Sequence, residues 1–331
     1  MNDKKMLGNL LLLLTAIIWG TAFVFQRVGM DSIEPITFNA ARMALAAVMV
    51  GALAFGLRQR KNKDVFPDGT AGLSAPAAAD NAAANENVSE PTCSQTVTGG
   101  ICCGLFLTAG SVFQQMGVVY TTAGKAGFIT AMYMLLVPIL NFLLFKKKNS
   151  WLVWLAVFFG VGGMYLLCVK EDFSLTLGDM LVCICALMFS GHILCCDYFV
   201  KRANPIELAA LQFTTAAVVS AGIAFCIETP HWAGILSAAV PILYCGVVSG
   251  GIGYTLQIVA QKFTDPTIAS LLMSLESVFA VIAGALLLGE QMSSRELLGC
   301  VVLFAATILV QIPLPERAET RRKYPCVPDI R

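Results

Sequence analysis

Charge is scarce in this chain of 331 residues. Lys and Arg number 22, Asp and Glu 21, and together they make 13% of the sequence, where a soluble domain carries about 25%. A large soluble surface is therefore excluded. Histidine occurs only twice. There is no Walker-type loop, nucleophile elbow or HExxH helix, so the usual marks of an ATP-driven pump, a serine hydrolase and a zincin are missing. The twelve cysteines include no CxxC pair. Nearly all lie in or against apolar segments, where isolated cysteines behave as small hydrophobes. No disulfide, metal or cofactor is expected. Net charge is +1, which leaves no footprint for nucleic acid.

What is abundant is apolar length. Hydrophobic residues make up 57% of the chain and mean hydropathy is +0.75. A helix crossing the bilayer needs ~20 mostly apolar residues, because no water in the core can satisfy a free backbone group. Ten stretches qualify: 6–28, 36–57, 97–119, 125–145, 151–169, 179–200, 206–227, 236–258, 267–288 and 296–313. The first follows Lys4-Lys5 but shows no convincing cleavage site, and reads as an uncleaved helix rather than a signal peptide.

The second five stretches repeat the first five. Residues 7–48 match 177–218 at a constant offset of 170, with Leu7/Leu177, Gly8/Gly178, Pro35/Pro205 and Ala40/Ala210 identical. Further on the offset becomes 143, with Gly110/Gly253, Gln114/Gln257, Thr121/Thr264 and Ser150/Ser293 coinciding. The first half thus carries 27 extra residues between the two blocks. An odd number of spans reverses the starting side, so the halves insert with opposite orientation. The fold class expected is an all-α integral membrane protein of ten transmembrane helices, built as two inverted five-helix repeats. Residues 1–57 and 97–170 form the first repeat and 171–313 the second. Residues 58–96, rich in Ala, Asn, Pro and Glu, read as a disordered cytoplasmic linker, and 314–331 as a cytoplasmic tail.

The basic residues set the orientation. With the N-terminus inside, Arg27, Lys125, Lys170 and Arg295 fall outside, Arg42 falls within a span, and every other Lys and Arg falls inside. The positive-inside rule then puts both termini in the cytoplasm of a multi-pass protein of the cell (inner) membrane. The Asn87-Val88-Ser89 sequon lies on the cytoplasmic side and is discounted.

Ionisable groups inside a bilayer are costly and mark function by default. Glu276 lies in the middle of the ninth stretch and must face the bundle interior or a wet cavity. There it either trades a proton for a solute or serves as a neutral, hydrogen-bonded structural group. Arg42 lies about six residues into the second stretch. Its guanidinium suits a carboxylate or phosphate, or else snorkels or pairs internally. Gln114 and Gln257 are equivalent under the repeat. Gly250, Gly253, Tyr254, Gln257 and Gln261 follow the spacing i, i+3, i+4, i+7, i+11 of one helical face, and Thr108, Ser111 and Gln115 run similarly. Such stripes glue helices together or line a polar cavity. Tyr133 is the counterpart of Glu276, and Trp19 that of Phe189. Cys185, His192 and Cys196 share a helix face, but i to i+7 spans ~10 Å, too far for one ion to bridge. A pore-facing or hydrogen-bonded His192 is the expectation, with no metal. Glu290 and Arg295 read as a surface turn pair contributing ~0–1 kcal/mol.

Three segments carry a family resemblance. Ile17-Ile18-Trp19-Gly20-Thr21-Ala22-Phe23 resembles the first-helix signature of the EamA branch of the drug/metabolite transporter superfamily. The run from Tyr120 to Ala131, followed by Tyr133 and Pro138, is similar to its fourth-helix entry. Ser274-Leu275-Glu276-Ser277-Val278-Phe279-Ala280, then Leu288-Gly289-Glu290, resembles its ninth helix. The resemblance implies a permease moving small organic metabolites or drugs, often outward. One departure stands out: the family usually follows the ninth-helix Glu with proline, and here Ser277 follows, which leaves the kink at that point to other means.

The expectation is a secondary transporter working by alternating access around Trp19, Gln114, Tyr133, His192, Gln257 and Glu276, with Arg42 and Tyr254 as secondary candidates. Its partners are a small-molecule substrate and membrane lipid, with protons as the candidate coupling ion. The rivals are a membrane-embedded enzyme and a passive channel or scaffold. The topology is tested with epitope tags at each terminus and protease added outside intact spheroplasts. Both tags should survive, and digestion of either would contradict the orientation.

Overall fold

The structure, a computed structural model, describes residues 3–65, 93–121, 123–147, 149–168, 176–288 and 293–309. Within them the regular structure is helical, with no strand. The elements are α1 (Asp3–Gly29), α2 (Pro35–Val65), α3 (Cys93–Tyr120), α4 (Ala123–Ala131), α5 (Tyr133–Phe145), α6 (Trp151–Cys168), α7 (Leu177–Val200), α8 (Pro205–Ile227), α9 (Trp232–Ser237), α10 (Ala239–Leu243), a π-helical segment (Tyr244–Tyr254), α11 (Thr255–Gln261), α12 (Pro266–Met273), α13 (Glu276–Leu288) and α14 (Ser294–Leu309). Eight stretches are long and apolar enough to cross a membrane, and Trp151–Gly163 and Leu297–Leu309 are shorter apolar helices.

The linker limits read from sequence need correction. Helix α2 continues beyond residue 57 to Val65 and α3 begins at Cys93 rather than 97, because Arg58 to Lys63 are sound helix formers that extend an existing helix at little cost. The remaining linker, 66–92, and the tail, 314–331, lie outside the described residues, as does Glu290.

Helix starts follow local chemistry. Asn204 accepts from the amides of Ile206 and Glu207 ahead of Pro205, and Asp265 from that of Thr267 ahead of Pro266. These are N-caps followed by proline at the first helical position. Thr176 and Asp179 form a capping box on α7, and the Thr121 hydroxyl at the end of α3 donates to Asp179 at 3.0 Å. Helix α2 is capped from a distance. The Glu228 carboxylate, at the end of α8, accepts from the amides of Ile36 (2.9 Å) and Thr37 (2.6 Å) and from the Thr37 hydroxyl. Glu34 returns the bond by accepting from the Thr229 amide at 3.0 Å. These contacts set α2 antiparallel to α8 and α3 antiparallel to α7.

Packing is inside-out relative to a soluble protein. On α2 and α8, Val48, Phe55, Val218 and Phe225 face outward, while Phe38, Ala46, Leu208, Phe213 and Ala216 are buried between helices. Lipid replaces water as the outer medium, so helix association relies on close van der Waals fit and on polar groups. Helix α2 packs on α8, α3 on α7 and α8, α6 on α14, α1 on α13, and both α1 and α2 on the π-helical segment. Glycines permit the closest approaches. A Cβ added at Gly104 would lie 2.5 Å from Thr215 Cβ and 2.8 Å from the Gln212 carbonyl.

Two apolar helices break at equivalent places. Met132 separates α4 from α5, and Ser274-Leu275 separates α12 from α13; Met132 and Leu275 are related by the offset of 143. The backbone tightens to i−3 bonds there: Leu135 to Met132, Leu275 to Leu272 and Ser277 to Ser274. The hydroxyls of Ser270, Ser274 and Ser277 each bond the carbonyl three residues back. Serine side chains competing with the ladder thus bend the ninth stretch just before Glu276, without the proline.

The packing account is tested by thermal unfolding in detergent. Gly104→Ala should lose ~1–3 kcal/mol through overpacking. Gly51→Ala, with nothing within 4 Å of the new Cβ, should be neutral or stabilising by up to about 1 kcal/mol. Equal effects would contradict the close α3–α8 crossing.

Candidate functional site

The two breaks aim the residues that follow them at each other. The Tyr133 hydroxyl, at the start of α5, donates to Glu276 Oε1, at the start of α13, at 2.9 Å. Glu276 is only 3% exposed. The pair closes one wall of a small cavity.

All eight residues singled out from the sequence line this cavity: Trp19, Arg42, Gln114, Tyr133, His192, Tyr254, Gln257 and Glu276. On α1, Trp19 Nε1 donates to the Ser249 carbonyl of the π-helical segment at 3.2 Å, and its ring lies 4.5 Å from that of Tyr254. The adjoining Gly20 faces the other way. A Cβ there would sit 2.6 Å from the Glu276 carbonyl and 2.5 Å from Phe279 Cβ. The Trp-Gly pair therefore has a physical reason: the indole lines the cavity while the glycine lets α13 close against α1. His192 Nε2 bonds Gln212 Oε1 at 3.0 Å, and its ring meets Tyr254 edge-on. Gln114 donates to the Thr130 hydroxyl, and Gln257 donates to Gln261.

Arg42 and Glu276 do not pair. Arg42 Nε donates to Asn39 Oδ1 at 2.9 Å and its guanidinium lies 5.9 Å from the centre of the Phe38 ring. The ion pairs of the described residues lie elsewhere, at Arg27–Asp31 and Lys201–Asp197. The cavity thus holds a buried guanidinium and a buried carboxyl held apart by neutral partners. Gln26 and Gln257 also line it, and their side-chain oxygens have no hydrogen-bond partner among the described residues. Buried acceptors left unmatched are costly, so these two are free to receive donors from a bound molecule.

The polar stripes divide differently from the spacing. Tyr254 and Gln257 reach the cavity, but Gly250 faces Ala46 on α2, Gly253 faces Trp19 and Ile18 on α1, and Gln261 donates to the Ile193 carbonyl on α7. The π-helical register of Tyr244–Tyr254 rotates Gly250 and Gly253 away from the single face that 3.6 residues per turn would give. Thr108 and Ser111 bond their own helix, and Gln115 reaches the Gln26 carbonyl on α1 and Met30 just beyond it. Gln115 thus serves as helix glue, while the two hydroxyls stay within α3. Cavity residues missed from the sequence are Gln26, Ser249, Ala22, Phe23, Thr130 and Ile193. Gln26 stands seven residues after Trp19, two helical turns on, and that spacing was the available signal.

Comparison with known proteins settles the family. The model of the EamA-like transporter family matches residues 6–169 and 176–312. The chain belongs to the EamA-like transporter family. It is 28% identical over 309 residues to an uncharacterized transporter of Archaeoglobus fulgidus, covering 93% of this chain and 87% of that one. A WAT1-related protein of Arabidopsis thaliana is 30% identical over 141 residues, covering 41% and 37% of the two chains. One crystal structure of a protein aligns over 94% of this chain and 97% of its own with a TM-score of 0.68 at 15% identity, which shows a shared fold. This EamA-like protein is accordingly a multi-pass membrane transporter.

The Tyr133–Glu276 bond is tested with a double-mutant cycle using Tyr133→Phe and Glu276→Ala. Contacting residues should show a coupling of ~0.5–3 kcal/mol in unfolding stability. Additive losses would mean that the bond does not form.

Proposed function

We propose that this EamA-like transporter is a secondary carrier of a small organic metabolite or drug. It exports its solute by alternating access between two inverted halves, with proton coupling through Glu276. One observation carries the reading: a single cavity is lined from both halves and joined across them by the Tyr133–Glu276 hydrogen bond.

Ten spans in two inverted repeats follow if α6 and α14, the two shorter apolar helices, also cross the bilayer. The packing supports this. Under the repeat, α3 on α7 corresponds to α1 on the π-helical segment, α3 on α8 to α2 on that segment, and α1 on α12 and α13 to α7 on α4 and α5. The pairs α2–α8 and α6–α14 are their own equivalents. Such pairwise exchange is what a two-fold axis in the membrane plane produces. The family match in two stretches, 6–169 and 176–312, accords with it. On the positive-inside reading, both termini face the cytoplasm at the cell membrane.

Within the cavity, Arg42 holds an anionic part of the solute, and the free oxygens of Gln26 and Gln257 receive its N–H donors. Trp19 and Tyr254 cover its apolar surface. Glu276 has no cation within ion-pair distance among the described residues, so it exchanges a proton against the solute. A carboxyl loaded from one side and unloaded from the other turns a proton gradient into solute movement.

The test is flux in proteoliposomes with an imposed pH gradient, screened over labelled amino acids, nucleosides, polyamines and toxic analogues. Flux should saturate with concentration, grow with the gradient, and lose its gradient-driven part in Glu276→Gln. Saturating flux indifferent to both the gradient and the substitution would remove the coupling role. Flux without saturation would make the protein a channel.

A further inference from the structure

Three thiols meet where α3 crosses α7. Cys103 Sγ lies 3.4 Å from Cys195 Sγ and 3.7 Å from Cys196 Sγ. Cys103 and Cys196 are buried and Cys195 is partly exposed. The crossing is tight: a Cβ at Gly110 would lie 2.7 Å from the Phe189 ring, and one at Gly117 would lie 2.5 Å from Val182 Cγ2. The helices hold the sulfurs at about van der Waals contact, and a disulfide requires one pair to close to about 2.05 Å.

We propose that Cys103 and Cys195 form an oxidisable site in which an organic hydroperoxide dissolved in the bilayer makes a disulfide between α3 and α7. The Cys195 sulfur attacks the outer peroxide oxygen, the O–O bond breaks, and the alcohol leaves with one proton. The product is a sulfenic acid on Cys195. The Cys103 sulfur then attacks that sulfur, an S–S bond forms, the S–O bond breaks, and water leaves with the Cys103 proton. Two thiols and one hydroperoxide give one disulfide, one alcohol and one water, and two electrons pass from sulfur to oxygen. Cys196 is a second partner for Cys103 when Cys195 is absent. Because α3 and α7 belong to opposite halves, the bond is a cross-link between them. Its consequence, that the halves stop moving against each other, rests on the alternating-access reading above.

The experiment treats the full chain in liposomes with cumene hydroperoxide, digests it, and maps linked peptides by mass before and after reduction with dithiothreitol. The expected product joins Cys103 to Cys195, has lost two hydrogens, and disappears on reduction. It should be absent from Cys103→Ala, and should shift to Cys196 in Cys195→Ala. No Cys103-linked peptide, or a link unaffected by Cys103→Ala, overturns the proposal. Hydrogen exchange of the peptides around the cavity is measured on the same samples and should slow on cross-linking and recover on reduction. If the link forms and exchange is unchanged, the oxidisable site stands and the alternating-access reading fails.

Discussion

A carboxyl group placed in the middle of an apolar helix must find a polar partner within the protein, since the bilayer offers none. Glu276 finds Tyr133. Much else in the bundle is arranged around that one bond. Gly20 lets α1 close against α13 beside it, and the breaks at Met132 and Ser274-Leu275 deliver its two members. Trp19, Tyr254 and His192 wall the space it borders. A membrane helix gives up backbone hydrogen bonds only where the surroundings restore them or a cavity needs the free groups. Here the serine hydroxyls of α12 and α13 restore them.

The same constraint explains the π-helical segment. Gly246 lets the α2 backbone approach at the Arg42 carbonyl, Gly250, Gly251 and Gly253 receive the side chains of Ala46, Met49 and Trp19, and the Ser249 and Gly253 carbonyls take bonds from Trp19 and Thr15 of α1. Backbone polarity is thus put to use for packing α1 and for shaping one wall. Arg42, by contrast, meets only neutral partners among the described residues, Asn39 and the Phe38 ring.

The apolar stretches were plain in the sequence, because a bilayer imposes length and hydropathy on every span. The cavity set was legible too, since rare polar groups in lipid have few other places to go. Glu276, Arg42 and His192 were found on that ground, and Gln114 and Gln257 by repeat symmetry. Other features were not legible. A 3.6-residue period misplaces Gly250 and Gly253, because nothing in the local pattern announces a π-helical register. The break at Ser274-Leu275 was hidden because serine bends a helix by competing for a carbonyl rather than by lacking an N–H, as proline does. The approach of Cys103 to Cys195 depends on how two distant helices cross, which no spacing within either one encodes.

The most direct measurement of the central claim is access to the cavity from the two faces of the membrane. Ser249→Cys, in a background without other reactive thiols, is exposed to an impermeant maleimide in sealed vesicles of each orientation. Alternating access predicts labelling from both faces, with modification from one face blocking the other. Labelling from a single face, or from neither, would contradict it.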